Sequence, residues 1–316
     1  MKKKFLRTFL VSFLAFVLIY SGAIYYWINF KKDGNDENGG NFLTRLADDQ
    51  DELTFLLLGI DSKDITKRDK ERSDTMMLCK VDKSSGQVSI LSIPRDSRVV
   101  IRGRKNEEKI NHAHAYGGPE LSVKTVRDLL GIDLDYYVRV DYKLVKDVVE
   151  LIGGVEMNVP MDMNYDDPTA DPPLHIHLKE GNQVLDGDKA MEFLRYRKGY
   201  KDQDLGRIKA QQEFVKAAIS QALKPSNITK IPGMIKSYYS NVDTNIPFDL
   251  LTKFALKFNK IDVDNIQTAT LQGEPKTIDG VSYYVLYKEE NEDIVNNMFL
   301  EHKTVENQSE DLTEPN

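Results

Sequence analysis

The sequence predicts one α/β domain built around a mixed β-sheet, preceded by a single N-terminal transmembrane helix. Three observations support this class. Short apolar runs alternate with helical patterns from residue 53 onward, 41% of the 316 residues are hydrophobic and 29% are charged, and residues 8–30 carry no charge. A chain of this length forms one large domain or about two domains, and it contains no internal repeat. The composition excludes a mostly disordered chain, a collagen-like chain and a multispan membrane protein.

The 23 uncharged residues 8–30 are long enough for a transmembrane signal-anchor helix. At about 1.5 Å per residue they span about 35 Å, whereas the hydrocarbon core of a bilayer is about 30 Å thick. Residues 1–7 contain four basic side chains, and acidic residues follow soon after Lys32. The positive-inside rule predicts a cytoplasmic N-terminus and an extracellular domain, held at the cell membrane by one span. The alternative is a signal peptide cleaved at Ser21-Gly22-Ala23, which the length of the apolar run disfavours.

A polar, glycine-rich linker (31–52) connects this helix to the predicted domain (53–302). The last residues, 303–316, contain four acids, one lysine and few apolar groups, which is typical of a disordered acidic tail.

Overall the chain carries 43 Lys and Arg against 50 Asp and Glu, a net charge of −7. Sequence-independent binding to nucleic acid needs a basic surface, so we expect no nucleic-acid partner.

The domain begins with a buried strand over 53–58, which ends at Gly59. Strands over 76–81 and 87–93 form a hairpin, and Pro119 opens a helix through 130 that Gly131 ends. The remaining elements are, in order, a strand at 136–140, a helix at 143–151, a strand at 155–159, a loop at 162–173, helices at 186–196, 205–223, 228–239 and 248–259, strands at 266–271 and 281–286, and a closing helix at 291–302.

Polar residues lie next to the ends of several predicted strands and helices. They form four segments, Gly59-Ile60-Asp61-Ser62, Arg72-Ser73-Asp74-Thr75, Ser92-Ile93-Pro94-Arg95-Asp96, and Arg195-Tyr196-Arg197-Lys198 with the downstream Asp204-Leu205-Gly206-Arg207. Ligands of open α/β sheets bind in crevices at strand ends. Converging arginines suit a phosphate or pyrophosphate. Carboxylates beside them, with Asp61 and Asp74 the best candidates, suit Mg²⁺.

Each of these residues also has an ordinary structural explanation. Asp204 can cap a helix N-terminus, Arg197 can complement a helix C-terminus, and Asp61 and Asp74 can end strands in turns. However, Asp204, Arg207 and Gln211 follow each other at i, i+3 and i+7. This spacing places all three on one face of a helix.

Two His-X-His pairs, His112/His114 and His175/His177, raise the question of zinc. On a strand, each pair projects to one side, as some zinc sites require. No HExxH pattern accompanies them, and the chain's one cysteine lies in an apolar run. We therefore favour loop or strand-face histidines over catalytic zinc, and Cys79 as a small core residue.

Eight motifs in a fixed order carry a resemblance to a known family. They are LLLGIDS (56–62), RSDTMML (72–78), LSIPRDSRV (91–99), KINHAHAYGG (109–118), YYVRVD (136–141), LIGGVEMNVP (151–160), LDGDKAMEFLRYRK (185–198) and DLGRIKAQQ (204–212). This set closely resembles the LytR-CpsA-Psr family of cell-envelope proteins. The resemblance is strong over 53–223 and looser to about residue 300.

The resemblance implies an α/β/α sandwich in a single-pass membrane protein of Gram-positive bacteria. Such proteins transfer anionic glycopolymers, such as wall teichoic acid or capsular polysaccharide, from a polyprenyl-pyrophosphate carrier to peptidoglycan. The acceptor is the C6 hydroxyl of N-acetylmuramic acid, and the new bond is a phosphodiester. The lipid tail lies in an apolar tunnel, with arginines and Mg²⁺ (or Mn²⁺) at its mouth.

The matching positions suggest individual roles. By resemblance, Asp61 and Asp74 hold the metal, Asp204 orients an arginine, and the pyrophosphate is bound by Arg72, Arg95, Arg195, Arg197 and Arg207 with Gln211 nearby. The catalytic group is Arg95 with Asp74 or Asp96, and the sequence does not choose between these two carboxylates as the base. One position departs from the family pattern, because Ala210 stands where an arginine is common.

Three other functions compete with glycopolymer transfer. A pyrophosphatase acting on the lipid carrier differs only in using water as the acceptor. A non-catalytic carrier-binding protein could use the same pocket without turnover. A transcription regulator is opposed by the acidic charge and by the predicted extracellular topology.

Overall fold

The apolar run that begins at Leu53 forms a central strand of a six-stranded mixed sheet. The computed structural model describes residues 51–60, 71–169, 173–202, 204–228, 242–255, 257 and 260–300. All of them belong to one unit, residues 49–316. The predicted mixed α/β architecture is therefore confirmed for the described part of the chain.

Fourteen strands lie in the described residues. They are β1 (Glu52–Ile60), β2 (Ser73–Asp82), β3 (Val88–Ser92), β4 (Arg98–Val100), β5 (Glu107–Lys109), β6 (Tyr136–Asp141), β7 (Val155–Val159), β8 (Met163–Asp167), β9 (Leu174–Leu178), β10 (Gly181–Leu185), β11 (Asp243–Thr244), β12 (Gln267–Thr270), β13 (Gly273–Ile278) and β14 (Val281–Leu286).

Seven α-helices accompany them. They are α1 (His112–Leu130), α2 (Tyr142–Leu151), α3 (Gly187–Arg195), α4 (Asp204–Ala222), α5 (Pro225–Ile228), α6 (Phe248–Ala255) and α7 (Lys288–Val295). A 3₁₀ turn covers Val263–Asn265, and a π-helical turn over Asn296–Leu300 follows α7.

The central sheet has the order β11-β6-β1-β2-β3-β12. The β1–β2–β3 segment is an antiparallel meander, whereas β6 runs parallel to β1 and β12 parallel to β3. Parallel neighbours need long crossover connections, and the chain between β1 and β6 provides one that includes α1. Four two-stranded pairs, β4–β5, β7–β10, β8–β9 and β13–β14, lie beside the central sheet.

Helices cover both faces of this sheet, because successive strand residues point to opposite sides. Leu56 and Leu58 face one side and belong to a buried cluster with residues of α1 and α7. On the other side Leu57 and Met77 pack in clusters that α4 and α6 cover. These layers match the expected α/β/α arrangement.

A second buried cluster lies under the β7–β10 and β8–β9 pairs. Phe193 of α3 and Phe214 of α4 stack in it, with ring centroids 6.3 Å apart. Since α3 and α4 both carry predicted site residues, this cluster fixes the helices from which those side chains project.

Helix α1 begins earlier than the sequence predicted. It starts at His112 and is kinked at Gly117 and Gly118, whose dihedral angles are not helical. Pro119 opens the straight second segment, because a proline without an N–H fits the first turn of a helix. Gly131 ends α1 in a left-handed conformation (φ 65°), as predicted.

The prediction of a loop over 162–173 was wrong in part. Residues 163–167 form β8, which pairs with β9. Its inward residue Met163 is buried, and the period-two alternation that marks a strand lies entirely before the three prolines. The prolines therefore marked the connection after β8 and not the whole segment.

Several predictions lie outside the described residues. These are the cytoplasmic segment (1–7), the transmembrane helix (8–30), the linker up to residue 50, almost all of the helix at 228–239, and the tail (303–316). Of the helices in the described residues, none combines the length and the apolar character that a membrane span requires.

Candidate functional site

Three strand ends that the sequence singled out meet at one edge of the central sheet. Parallel pairing sets Ile60 at the end of β1 beside Asp141 at the end of β6. Antiparallel pairing brings the start of β2, with Asp74, to the same edge, and β3 returns there and leads into Arg95. The described parts of these segments therefore lie together. Asp61, the next residue after Ile60, lies outside the described residues.

Asp74 is the centre of a guanidinium–carboxylate network. Its Oδ1 accepts from Nη1 of Arg95 at 2.5 Å, and its Oδ2 accepts from Nη2 of Arg197 at 3.0 Å. The arginines come from the loop after β3 and from the segment after α3. Asp74 therefore joins the sheet edge to the end of α3.

Asp204 forms the second half of this network. Its Oδ1 lies 2.8 Å from Nη2 of Arg207 and 3.9 Å from Nη2 of Arg95. Asp96 also lies near Arg95, with its Oδ2 3.9 Å from Nε, and it pairs with Lys109. Four cations, Arg95, Lys109, Arg197 and Arg207, thus share three carboxylates and leave an excess of positive charge. This excess favours an anionic ligand.

Arg207 and Gln211 are the buried members of the site, with 3% and 7% of their surface exposed. Burial lowers the pKa of Arg207, and the positive charge of Arg95 acts in the same direction, although Asp204 opposes both. For Arg95 burial also lowers the pKa, but the carboxylates around it more than compensate and the net shift is upward. A guanidinium held out of water beside another one is stabilised by an added anion.

A cleft of about 750 Å³, part of which is open to solvent, extends from this network. The polar part of its wall consists of Asp74, Asp141, Tyr142, Arg195, Arg197, Arg207 and Gln211. The apolar part consists of Leu57, Ile60, Met77, Val140, Val145, Leu194, Phe214 and Val215, with Gly59 and Thr75 beside them. Such a cleft suits a molecule with an anionic group and a long apolar chain.

A smaller cavity of about 210 Å³ adjoins this cleft through Asp74, Arg207 and Gln211, which line both. Its wall also includes Arg95 and Ser92. Arg95 therefore contacts the site from the side of β3, whereas Arg195 and Arg197 approach from α3.

Not every predicted residue lies in the cleft wall. Arg195 does, and its guanidinium carbon is 5.0 Å from the centre of the Tyr142 ring. Arg72 is exposed at the start of β2 and is not part of the wall. Asp96 lies outside the wall as well, and its Oδ1 is 2.9 Å from Nζ of Lys109.

Ala210, the departure from the family pattern, packs against the cluster around Phe193 and Phe214. It does not line the cleft. Arg207 and Gln211 on the same helix still reach the cleft, so the apolar residue at 210 removes no group from the described wall.

The sequence missed Asp141 and Tyr142. Asp141 ends β6 and caps α2, since its Oδ1 accepts from the backbone N–H of Leu144 at 2.9 Å. The sequence could have singled out Asp141, because this residue follows a predicted strand just as the other site segments do. Gln212 was also missed as an anchor: its Nε2 donates to Ala269 O at 2.7 Å and to Ser92 Oγ at 2.8 Å.

Comparison with known families decides the relationship of this chain. The sequence model of the LytR_cpsA_psr family matches residues 24–300. The chain belongs to the LytR-CpsA-Psr family.

Relatives within the LytR-CpsA-Psr family share both sequence and fold. The polyisoprenyl-teichoic acid–peptidoglycan teichoic acid transferase TagU of Oceanobacillus iheyensis is 34% identical over 258 residues, which cover 78% of this chain and 75% of TagU. The crystal structure of Bacillus subtilis TagV aligns with a TM-score of 0.67 at 28% identity, covering 79% of this chain and 97% of TagV. A structure of TagT bound to LIIa-WTA aligns with a TM-score of 0.62 at 29% identity, covering 79% of this chain and 90% of that one.

Proposed function

We propose that this protein transfers an anionic glycopolymer of the teichoic acid type from a polyprenyl-pyrophosphate carrier to peptidoglycan. One observation carries the proposal: the cleft is apolar inside and has arginines around Asp74 at its polar end. A lipid pyrophosphate has the same two parts. Curated relatives from Oceanobacillus iheyensis and Bacillus licheniformis are named teichoic acid transferases, which supports the same reaction.

The reaction replaces a phosphoanhydride bond of the pyrophosphate with a phosphodiester bond. The C6 hydroxyl oxygen of N-acetylmuramic acid forms a bond to the phosphorus that carries the glycopolymer. The bond from that phosphorus to the bridging oxygen breaks, and polyprenyl phosphate leaves. In this proposal Arg95 and Arg207 stabilise the negative charge that grows on the bridging oxygen. Phosphoryl transfer depends mainly on such positioning and charge stabilisation.

Asp74 is our candidate for the catalytic carboxylate. Of Asp74 and Asp96, only Asp74 lines the cleft, whereas Asp96 pairs with Lys109. A base must lie within hydrogen-bond reach of the proton that it takes. In this proposal a hydroxyl that approaches the bound pyrophosphate comes within reach of Asp74, which lines the cleft.

A divalent cation, Mg²⁺ or Mn²⁺, fits the donor set at the polar end of the cleft. Mg²⁺ commonly binds through one or two carboxylates together with substrate phosphates and water. Asp74 would supply a carboxylate oxygen while its arginine contacts persist, because each carboxylate oxygen accepts more than one partner. When bound, the cation supplies charge stabilisation to the pyrophosphate. Asp61 remains a candidate second ligand.

We further propose that residues 8–30 hold the protein at the cell membrane with its domain outside. An anchored enzyme stays close to a donor that is itself a lipid, which raises the effective donor concentration. Labelling of single cysteines placed in 1–7 and in the domain with an impermeant thiol reagent tests this topology. Labelling in 1–7 alone would exclude it.

The decisive experiment uses the full-length chain in detergent with a polyprenyl-pyrophosphate-linked teichoic acid precursor, a peptidoglycan oligomer and Mg²⁺. Mass spectrometry should detect a phosphodiester conjugate that is lost with Arg95→Ala and kept with Arg102→Ala. Arg102 is a matched control, since it is an exposed arginine that pairs with Asp128 away from the cleft. Release of free glycopolymer phosphate without a conjugate would favour the pyrophosphatase, and tight binding without turnover would favour a carrier-binding protein.

A further inference from the structure

The β8–β9 pair carries a group of metal-binding side chains that the transfer reaction does not use. In its register Asp166 lies directly opposite His175, and Asn164 lies opposite His177. Opposite residues of an antiparallel pair share a face, as do residues two apart on one strand. Asp166, His175 and His177 therefore project from one face. We refer to these three residues as the histidine triplet.

The buried face of the same strands fixes this arrangement. Met163, Ile176 and Leu178 are at most 2% exposed and belong to the second core cluster. A slip of one residue in the register would turn these side chains to solvent, which makes the register specific. The histidine triplet is held on the outside by the packing of its neighbours inside.

The three side chains are close enough to share one ion. Their nearest ligand atoms all lie within 4.8 Å of one another. His177 Nε2 is 3.3 Å from Asp166 Oδ1, and His175 Nδ1 is 2.6 Å from the same oxygen. Two donors at about 2.1 Å from a tetrahedral zinc ion are about 3.4 Å apart. The distance from His177 already fits. The distance from His175 would need to increase by ~0.8 Å when an ion replaces the hydrogen bond.

The surroundings leave Asp166 available. All three side chains are more than half exposed. Within the described part of the chain, no lysine or arginine forms an ion pair with Asp166; its partners there are the two histidines. An ion would therefore not have to displace a fixed positive charge.

We infer that the histidine triplet is a binding site for a divalent transition-metal ion, with zinc as the reference ion. Imidazole nitrogens with a carboxylate oxygen suit Zn²⁺, Cu²⁺ or Ni²⁺, whereas Mg²⁺ prefers oxygen ligands alone. Three protein ligands leave at least one position for water. The site is distinct from the cation position at Asp74, which is surrounded by arginines and contains no histidine.

The hairpin that carries this site is hydrogen-bonded to the helix beside it. The backbone N–H of His177 donates to Oε2 of Glu192 on α3 at 2.7 Å. Helix α3 ends at Arg195, which lines the cleft. Zinc would hold β8 and β9 together and stabilise the folded hairpin by mass action.

The test measures zinc binding to the full-length chain without a polyhistidine tag. Equilibrium dialysis against buffered free zinc, with excess Mg²⁺ throughout, should give one zinc per chain. In His175→Gln/His177→Gln and in Asp166→Asn, binding should weaken at least about tenfold, since even residues outside the ligand set are worth about 10- to 100-fold in metal affinity. With Cu²⁺ in place of zinc, the electron paramagnetic resonance spectrum should show nitrogen ligands only where the histidines remain.

His112→Gln is the matched control. His112 belongs to the other His-X-His pair and lies 3.1 Å from Glu108, but its companion His114 is buried and contacts Glu71 O at 2.6 Å. That pair cannot close on an ion, so His112→Gln should bind zinc like the unchanged protein. Equal melting temperatures without zinc would show that all variants fold. Zinc binding that survives in His175→Gln/His177→Gln, or that is absent from the unchanged protein at micromolar free zinc, would overturn the inference.

Discussion

Arg95 donates a hydrogen bond from Nη1 to Oδ1 of Asp74 over 2.5 Å, although 21 positions separate the two residues in the chain. The bond links the loop after β3 to the beginning of β2. Both residues line the adjoining cavity, and Asp74 also lines the main cleft. The pair therefore fixes the position of a positive charge at the point where the proposed reaction builds up negative charge.

Removing this charge should slow transfer without unfolding the protein. We expect Arg95→Ala to lower the rate at least about 100-fold, the loss that typically follows removal of one charge-stabilising donor. Arg95→Lys should recover only part of it, because an ammonium group lacks the guanidinium fork. Rates of conjugate formation and melting temperatures should be measured together, with Arg102→Ala as control. Full activity of Arg95→Ala would exclude the role.

Removal of divalent metal should stop turnover. Asp74 would hold the proposed cation, which would offset charge of the pyrophosphate that the arginines alone leave uncompensated. Conjugate formation should fall to background in EDTA and return when Mg²⁺ or Mn²⁺ is added. Asp74→Asn should raise the Mg²⁺ concentration needed for half-maximal rate. Unchanged rates in EDTA would remove Asp74 and Asp61 from a metal-binding role.

Filling the apolar part of the cleft should discriminate between donors by chain length. Val145 lies in the apolar wall, and Val145→Trp should raise the KM for a long prenyl chain about tenfold or more, while a short-chain analogue is affected less. Steady-state kinetics with two donors of different length measure this. Val100→Trp is the control, because Val100 is 66% exposed and away from the cleft. Equal effects on both donors would contradict binding of the chain in the cleft.

Gly206 should not tolerate a side chain. A Cβ at this position would lie 2.6 Å from Cβ of Tyr200, and Arg207 is the next residue. Gly206→Ala should therefore displace Tyr200 and destabilise the fold by about 1–3 kcal/mol, as overpacking commonly does. Thermal unfolding and transfer rates should both decline, whereas Lys209→Ala on the exposed side of α4 should change neither. An unaltered melting temperature in Gly206→Ala would refute the steric account.

The Cys79 thiol should be inert in the folded protein. Burial raises its pKa from 9.0 to about 12, and only the thiolate reacts with disulfide reagents. At pH 8, labelling should be at least about 100-fold slower in the native protein than in denaturant. Fast native labelling would contradict the burial.

The raised pKa of Cys79 also makes the stability of the fold depend on pH. Between pH 9 and 12 the thiol is deprotonated in the unfolded chain but stays protonated in the folded protein. Deprotonation therefore favours the unfolded chain, so the free energy of unfolding is unaffected by this group below pH 9 and declines as the pH rises through the window. Cys79→Ala should weaken the loss of stability in that window, and chemical denaturation at several pH values measures it.

Much of the fold could be predicted from the sequence, because apolar runs and glycine stops act locally. The run at 53–58 became β1, and Gly131 ended α1 with a positive φ. The elements missed were those whose signal is weak or masked by neighbours. Strand β8 precedes a proline-rich connection, and Asp141 was passed over although it ends a predicted strand.

The sequence could predict which residues form the site but not which carboxylate pairs with which guanidinium group. Strand-end reasoning brought Asp74 and Arg95 to one edge, and the helical spacing of Asp204, Arg207 and Gln211 placed them on one face. Which carboxylate meets which guanidinium depends on tertiary packing, since Asp74 binds Arg197 from a segment 123 positions away. Asp96 satisfied the same sequence criteria, yet its shorter ion pair is with Lys109 at 2.9 Å, and it lies 3.9 Å from Arg95.

The anchoring of α4 through Gln212 sets the order in which a growing chain can complete its site. Gln212 donates a hydrogen bond to the backbone of Ala269 in β12, and β12 is the outermost strand on one side of the sheet. A nascent polypeptide that has emerged only as far as α6 already contains every arginine of the cleft, yet it lacks the strand to which α4, the helix of Arg207, is attached. The attachment of α4 to β12 must therefore await the last quarter of synthesis, and premature termination there would yield a protein with the arginines of the cleft but without this support for α4.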